Sequence, residues 1–265
     1  MADVATHRDS VDVDCVELDA AGIAKTFPYF DFPDDYTASY EPKDAGYISP
    51  RNLVAAQSKA ARSHGATIID EEVLSIRDGL VKTANHTIES DQVIVAAGGW
   101  TDDLLGRQTL TVYARTVAFH EVGPEEVRRL AYMPSLVLDS MDGLYVLPPI
   151  RYPDGKVWLK LGGDPVDVAL PDKTAINDWF RSGGSAEVGT YLTDRICEIM
   201  PGLAFESRFH LPCVTTWSDN GIPEIRRLSD RLIIAAAGNG AGAKCSDELG
   251  RMAAAIAVET IGELV

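Results

Sequence analysis

Near the C-terminal end an apolar run, residues 232–237, is followed at once by three glycines, Gly238, Gly240 and Gly242. So short and wholly apolar a run reads as a strand buried on both faces. The glycines turn the backbone tightly and leave no Cβ to block the approach of a ligand. Residues 245–261 then carry Leu249, Met252, Ala253, Ile256 and Ile261 at helical spacing. A strand, a glycine turn and a helix N-terminus together present free N–H groups and a positive dipole end to something electron-rich.

Gly238-x-Gly240-x-x-Ala243 nearly fits the dinucleotide fingerprint, but that fingerprint opens a βαβ unit with an acidic residue about 20 positions on. The printed chain stops before a second strand, so this turn is not read as a pyrophosphate cradle. It is either a packing turn or a turn facing a cofactor head group. A second run, 93–97, repeats the pattern: Val93, Ile94, Val95, two alanines, then Gly98, Gly99 and Trp100. Two such strands place two glycine turns at one edge of a parallel sheet, where open α/β folds bind ligands.

Elsewhere the periodicity changes. Ser49 and Pro50 predict the N-cap and first turn of a helix that buries Leu53, Ala56 and Ala60 and stops at Gly65. Residues 66–70 and 73–77 read as strands, and 79–89 as a hairpin. From 110 to 165 short alternating runs between turn residues predict an antiparallel sheet, a second domain. Residues 173–200 are helical, broken by Gly183 and Gly184. The fold class is thus α/β with an α+β part.

With 24 Lys+Arg against 40 Asp+Glu the net charge is −16, which weighs against nucleic acid and anionic membrane surfaces and predicts a soluble cytoplasmic protein. No run reaches membrane-span length, and no signal-peptide pattern opens the chain. Cys15, Cys197, Cys213 and Cys245 are far apart and the five histidines scattered, so no metal centre is expected.

Five blocks in order carry a resemblance: Gly46 to Pro50 with its helix, 93–100, 158–162, Cys213 to Pro223, and Gly238 to Ser246. The chain resembles the flavoprotein family of D-amino-acid oxidase and glycine oxidase, and most of all its sarcosine and N-methyltryptophan oxidases. The resemblance implies FAD as cofactor and a small amine or amino-acid substrate. It also implies an incomplete FAD-binding Rossmann-like domain (46–109 and 213–265) plus an antiparallel-sheet substrate domain (1–45 and 110–212). The family's N-terminal βαβ unit with GxGxxG is not found in these residues. A truncated, split or decayed form is therefore expected, with a central strand missing between the two glycine-ended strands. A partner chain supplying the βαβ unit, or a non-catalytic protein using its antiparallel sheet as an interaction surface, is the alternative.

The same resemblance assigns roles. Gly98, Gly99, Trp100, Gly238, Gly240, Ala241, Gly242 and Ala243 would line the cofactor. Lys160 is either an ordinary exposed lysine or the lysine that sits by the flavin and favours electron transfer to O2. Cys213 is either a small buried residue or the site of covalent flavin attachment. Lys244 is poorly placed against a helix dipole unless an anion is bound there, and the family's lysine contacts flavin or substrate carboxylate. Thr215 stands where the sarcosine oxidases have an aromatic residue, and Asp164 and Ala241 where they have histidines, so substrate preference does not carry over.

Overall fold

The structure is a computed structural model describing residues 14–77, 79–139, 143–163 and 165–262. In chain order its strands are β1 (Val16–Leu18), β2 (Ala38–Tyr40), β3 (Ser75–Arg77), β4 (Leu80–Lys82), β5 (Thr87–Glu89), β6 (Val93–Val95) and β7 (Thr111–Glu121). Then come β8 (Leu136–Val137), β9 (Tyr145–Arg151), β10 (Val157–Gly162), β11 (Val168–Ala169), β12 (Ser207–Trp217), β13 (Glu224–Ser229) and β14 (Leu232–Ala236). The helices are α1 (Ala20–Thr26), α2 (Pro50–Ser63), α3 (Thr101–Leu105), α4 (Pro124–Arg129), α5 (Lys173–Ser182), α6 (Ala186–Ile199) and α7 (Ser246–Gly262).

Two compact units emerge, each from three stretches of chain. The first comprises residues 1–47, 116–165 and 185–211. Antiparallel β8, β9, β10 and the later half of β7 form its sheet, with Lys160 opposite Phe119 and Leu147. Its core gathers Ala118, Val146, Leu159 and Leu161 from the sheet with Leu192, Ile196 and Ile199 from α6, and Phe27 and Phe30 from the stretch that follows α1. From Thr116 to His120 every residue of β7 is buried, so this stretch lies covered on both faces, unlike the alternating half before it.

The second unit comprises residues 48–115, 166–184 and 212–265. Its central sheet has the order β13-β14-β6. β14 pairs parallel with β6, Leu232 beside Val93 and Ile234 beside Val95, and antiparallel with β13. Ile233 and Ile234 are fully buried, and α7 packs on β14 with Ala253 inside. A three-stranded antiparallel sheet, β3-β4-β5, carries the hairpin. β11 pairs with Tyr113 and Ala114 at the start of β7.

Three expectations are corrected. No strand separates β6 from β14: their apolar runs match residue for residue and ladder directly, so both glycine turns leave the same end of one sheet. The other edge of β6 is unpaired among the described residues, and Ile94 is 40% exposed there. Residues 66–70 form no strand, because no described strand lies alongside to complete a ladder, and Ile68 and Ile69 are exposed. Helix α2 has its predicted Ser49 cap, but Leu53, Ala56 and Ala60 are not buried, since no described element covers them. Among the described residues no helix is long and apolar enough to cross a membrane.

Candidate functional site

Backbone conformation singles out the end of β14. Ala237 (φ 59°), Asn239 (φ 46°) and Gly240 (φ 72°) all adopt left-handed conformations, and Ala237 is buried. For alanine this costs about 1–2 kcal/mol, a strain that persists only where surroundings impose it. Gly238 and Gly242 approach so closely that a Cβ on either would lie 3.0–3.2 Å from the other's Cα. A side chain at either would push these backbones apart by a few tenths of an ångström.

Asn239 locks the turn. Its N–H donates to the Thr216 carbonyl (2.9 Å), its Nδ2 to the Ala237 carbonyl (2.8 Å), and its Oδ1 accepts from the Ser218 N–H (3.0 Å). Ala241 N–H turns back to the Gly238 carbonyl, and Lys244 N–H to that of Ala241. The N–H groups of Gly240, Gly242 and Ala243 find no acceptor among the described residues. Ahead of α7 they form a donor set suited to an electron-rich group. Lys244 is exposed on the same turn.

The turn leans on β12. The Trp217 ring packs at Gly240, where a Cβ would stand 3.6 Å from it. Cys213, Thr215 and Trp217 alternate on one side of this strand. Trp217 Nε1 and Arg115 Nε both donate to Thr215 Oγ1, at 3.0 and 3.1 Å. Arg115 is further fixed by Asp167 (2.6 Å) and by its stand over the Tyr113 ring (5.1 Å). Cys213 is a free, half-buried thiol, and its backbone carbonyl is held by Trp179 Nε1 at 2.9 Å.

At the end of β6, Gly98 (φ 54°) opens a short 3-10 turn through Trp100. A Cβ at Gly99 would meet Val112 and Ile176 at ordinary contact distance. Trp100 stacks on Phe180 and donates to Asn177 Oδ1 (3.2 Å). The second unit thus brings together Gly98, Gly99 and Trp100 on one strand end, Gly238 to Lys244 on its neighbour, and Cys213 on β12. Lys160 belongs to the first unit. It is half-buried, with Nζ 6.0 Å from the Phe119 ring and 5.7 Å from that of Tyr145, on the sheet face opposite Leu159 and Leu161. Asp164 lies outside the described residues. A cavity of about 420 Å³ in the first unit, lined by Phe32, Tyr36, Arg195 and Glu198 among others, includes none of these residues.

The pattern of the FAD dependent oxidoreductase family matches residues 2–256. The chain belongs to this family. Among its relatives, a monomeric sarcosine oxidase of Bacillus sp. is 27% identical over 85% of this chain and 59% of its own length. An N-methyl-L-tryptophan oxidase of Yersinia pestis is 24% identical over 97% of this chain and 69% of its own. A Streptomyces avermitilis sarcosine oxidase reaches 38%, over 33% of this chain and 24% of its own length. The chain therefore spans about six-tenths of the first of these relatives. The fold is that of NikD, an amino acid oxidase of nikkomycin biosynthesis (TM-score 0.73, 20% identity, 97% of this chain and 68% of that one). It is equally that of L-proline dehydrogenase from P. horikoshii (TM-score 0.73, 18% identity, 96% and 68%). The family and its sarcosine oxidases are FAD-dependent.

Sequence reasoning passed over Arg115 and Asn239. Nothing marks Arg115 until β7 and β12 are paired. Asn239 carried a signal: asparagine between two glycines is the side chain best able to take a left-handed conformation.

Proposed function

We propose that this chain carries the flavin-facing part of an FAD-dependent oxidase acting on a small amine or amino acid. The strained turn at the end of β14 carries this reading. Its donors at Gly240, Gly242 and Ala243, with Gly238 keeping the backbones close and Ala241 adding no bulk, fit the carbonyl-rich pyrimidine edge of FAD. Gly98, Gly99 and Trp100 would hold the neighbouring edge of the cofactor. No described glycine turn opens a βαβ unit, so the adenosine and pyrophosphate have no holder among the described residues. The unpaired edge of β6, with exposed Ile94, fits a βαβ unit supplied by another stretch of polypeptide, whether of a longer chain or a partner.

When bound, FAD supplies the two-electron acceptor for oxidation at the carbon bearing the amine, passing the electrons to O2 to give H2O2. The protein's own part is electrostatic. Lys160 offers a fixed positive charge over two aromatic rings, suited to favouring reduction of O2. Lys244 offers a second cation for flavin or a substrate carboxylate. Cys213 is the candidate for covalent attachment, with its backbone pinned by Trp179. The acidic net charge fits a cytoplasmic protein.

The test is anaerobic mixing of the chain, at saturating FAD, with N-methylglycine and other small amines and amino acids. Bleaching of the 450 nm flavin band is expected. Bound flavin that stays oxidised with every amine would overturn the reading. If attachment is covalent, acid-precipitated protein stays yellow and Cys213→Ser releases the colour.

A further inference from the structure

Thr215 Oγ1 receives hydrogen bonds from two atoms that can only donate, Arg115 Nε and Trp217 Nε1. A hydroxyl oxygen has two lone pairs, and both are taken, so the Thr215 proton must point in a third direction. No acceptor for it appears among the described residues. The hydroxyl is therefore a donor of fixed orientation, and the cation behind it strengthens the bond it offers. Its oxygen is held from both sides: Arg115 is anchored by Asp167 and Tyr113, and Trp217 lies against Gly240. Thr215 is half-buried on β12, two residues from Cys213 and two from Trp217, whose ring lies against the glycine turn.

We propose that Thr215 is a specificity-determining donor that binds one oxygen of a small carboxylate, with Arg115 and Trp217 as the residues that position it. This rests on the reading of the adjoining turn as flavin-facing only for its link to catalysis; the carboxylate site itself needs no flavin. A carboxylate suits the site better than a neutral carbonyl, because the Arg115 guanidinium behind the hydroxyl, though shared with the exposed Asp167, polarises the O–H toward an anionic acceptor. Thr215 would thereby select substrates that carry an acid group beside the amine.

The chain has four tryptophans, and the indole N–H of Trp217 reports directly on the Thr215 oxygen. Its NMR cross-peak, assigned with Trp217→Phe, is followed while acetate is titrated into the flavin-free chain at constant ionic strength. A saturable shift is expected with acetate and none with ethylammonium. Thr215→Ser, which keeps the hydroxyl, retains the affinity; Thr215→Val weakens it at least about tenfold. A resonance that acetate does not move, or equal affinity in Thr215→Val and Thr215→Ser, overturns the proposal. A shift caused by riboflavin and not by acetate also overturns it, since the donor then serves the cofactor. The acetate result stands apart from the flavin-bleaching test, so either reading can fail alone.

Discussion

His120 shows most clearly how one residue's surroundings set its chemistry. It is fully buried in β7, with Nε2 3.1 Å from Thr193 Oγ1 and its ring against Phe205. Thr193 in turn donates to the Gly189 carbonyl, so Nε2 carries the proton and the ring is neutral. Burial, aided by the Arg208 charge, pushes its pKa down from 6.5 to about 4. Below pH 6.5 the unfolded chain therefore binds a proton that the folded chain refuses, and stability falls until about pH 4. The gap corresponds to about 3 kcal/mol at 1.36 kcal/mol per pH unit. Urea unfolding between pH 7 and pH 4 should show this slope, and His120→Gln should flatten it; an unchanged slope in the variant would assign it elsewhere. Glu71 acts lower. Hydrogen bonds from Thr83, Asn85 and His86 hold its carboxyl down at about 2, so its contribution is lost only as pH falls from 4.5 toward 2.

Between elements, Asn239 joins β12 to the turn after β14. Asn239→Ala removes the acceptor of the Ser218 N–H, a buried residue, and the donor to the Ala237 carbonyl. Losing these should cost about 2 kcal/mol and speed hydrogen exchange at Ser218; unchanged exchange there would mean that the backbone bond to Thr216 alone holds the turn. Much at this scale was legible in the sequence, since caps, glycine breaks and apolar runs act locally. Ser49, Gly65 and the Gly183-Gly184 break mark helix ends where the structure has them, and the two glycine-ended strands lie side by side. The failures are equally physical. Leu53, Ala56 and Ala60 have the spacing of a buried face, but spacing records a preference, and burial needs a partner. The Arg115–Thr215–Trp217 cluster joins residues 100 positions apart, and no local pattern encodes such a pairing.

For the molecule as a whole, the open edge of β6 is the feature with the widest consequences. A strand paired on one edge and open on the other among the described residues, with Ile94 exposed, is a template for further pairing. The chain alone should bind a hydrophobic dye and associate as concentration rises, and Ile94→Lys should reduce both. Equal association in the variant would place the sticky surface elsewhere. On the function proposed above, the described residues hold the isoalloxazine end of FAD and leave the adenosine end without a cradle among them. Equilibrium titration of the purified chain with FAD and with riboflavin, followed by quenching of flavin fluorescence, tests this most directly. Dissociation constants for the two within about threefold of each other are predicted, because the adenosine half finds no contacts. FAD binding about a hundredfold tighter than riboflavin would show instead that these residues hold the nucleotide.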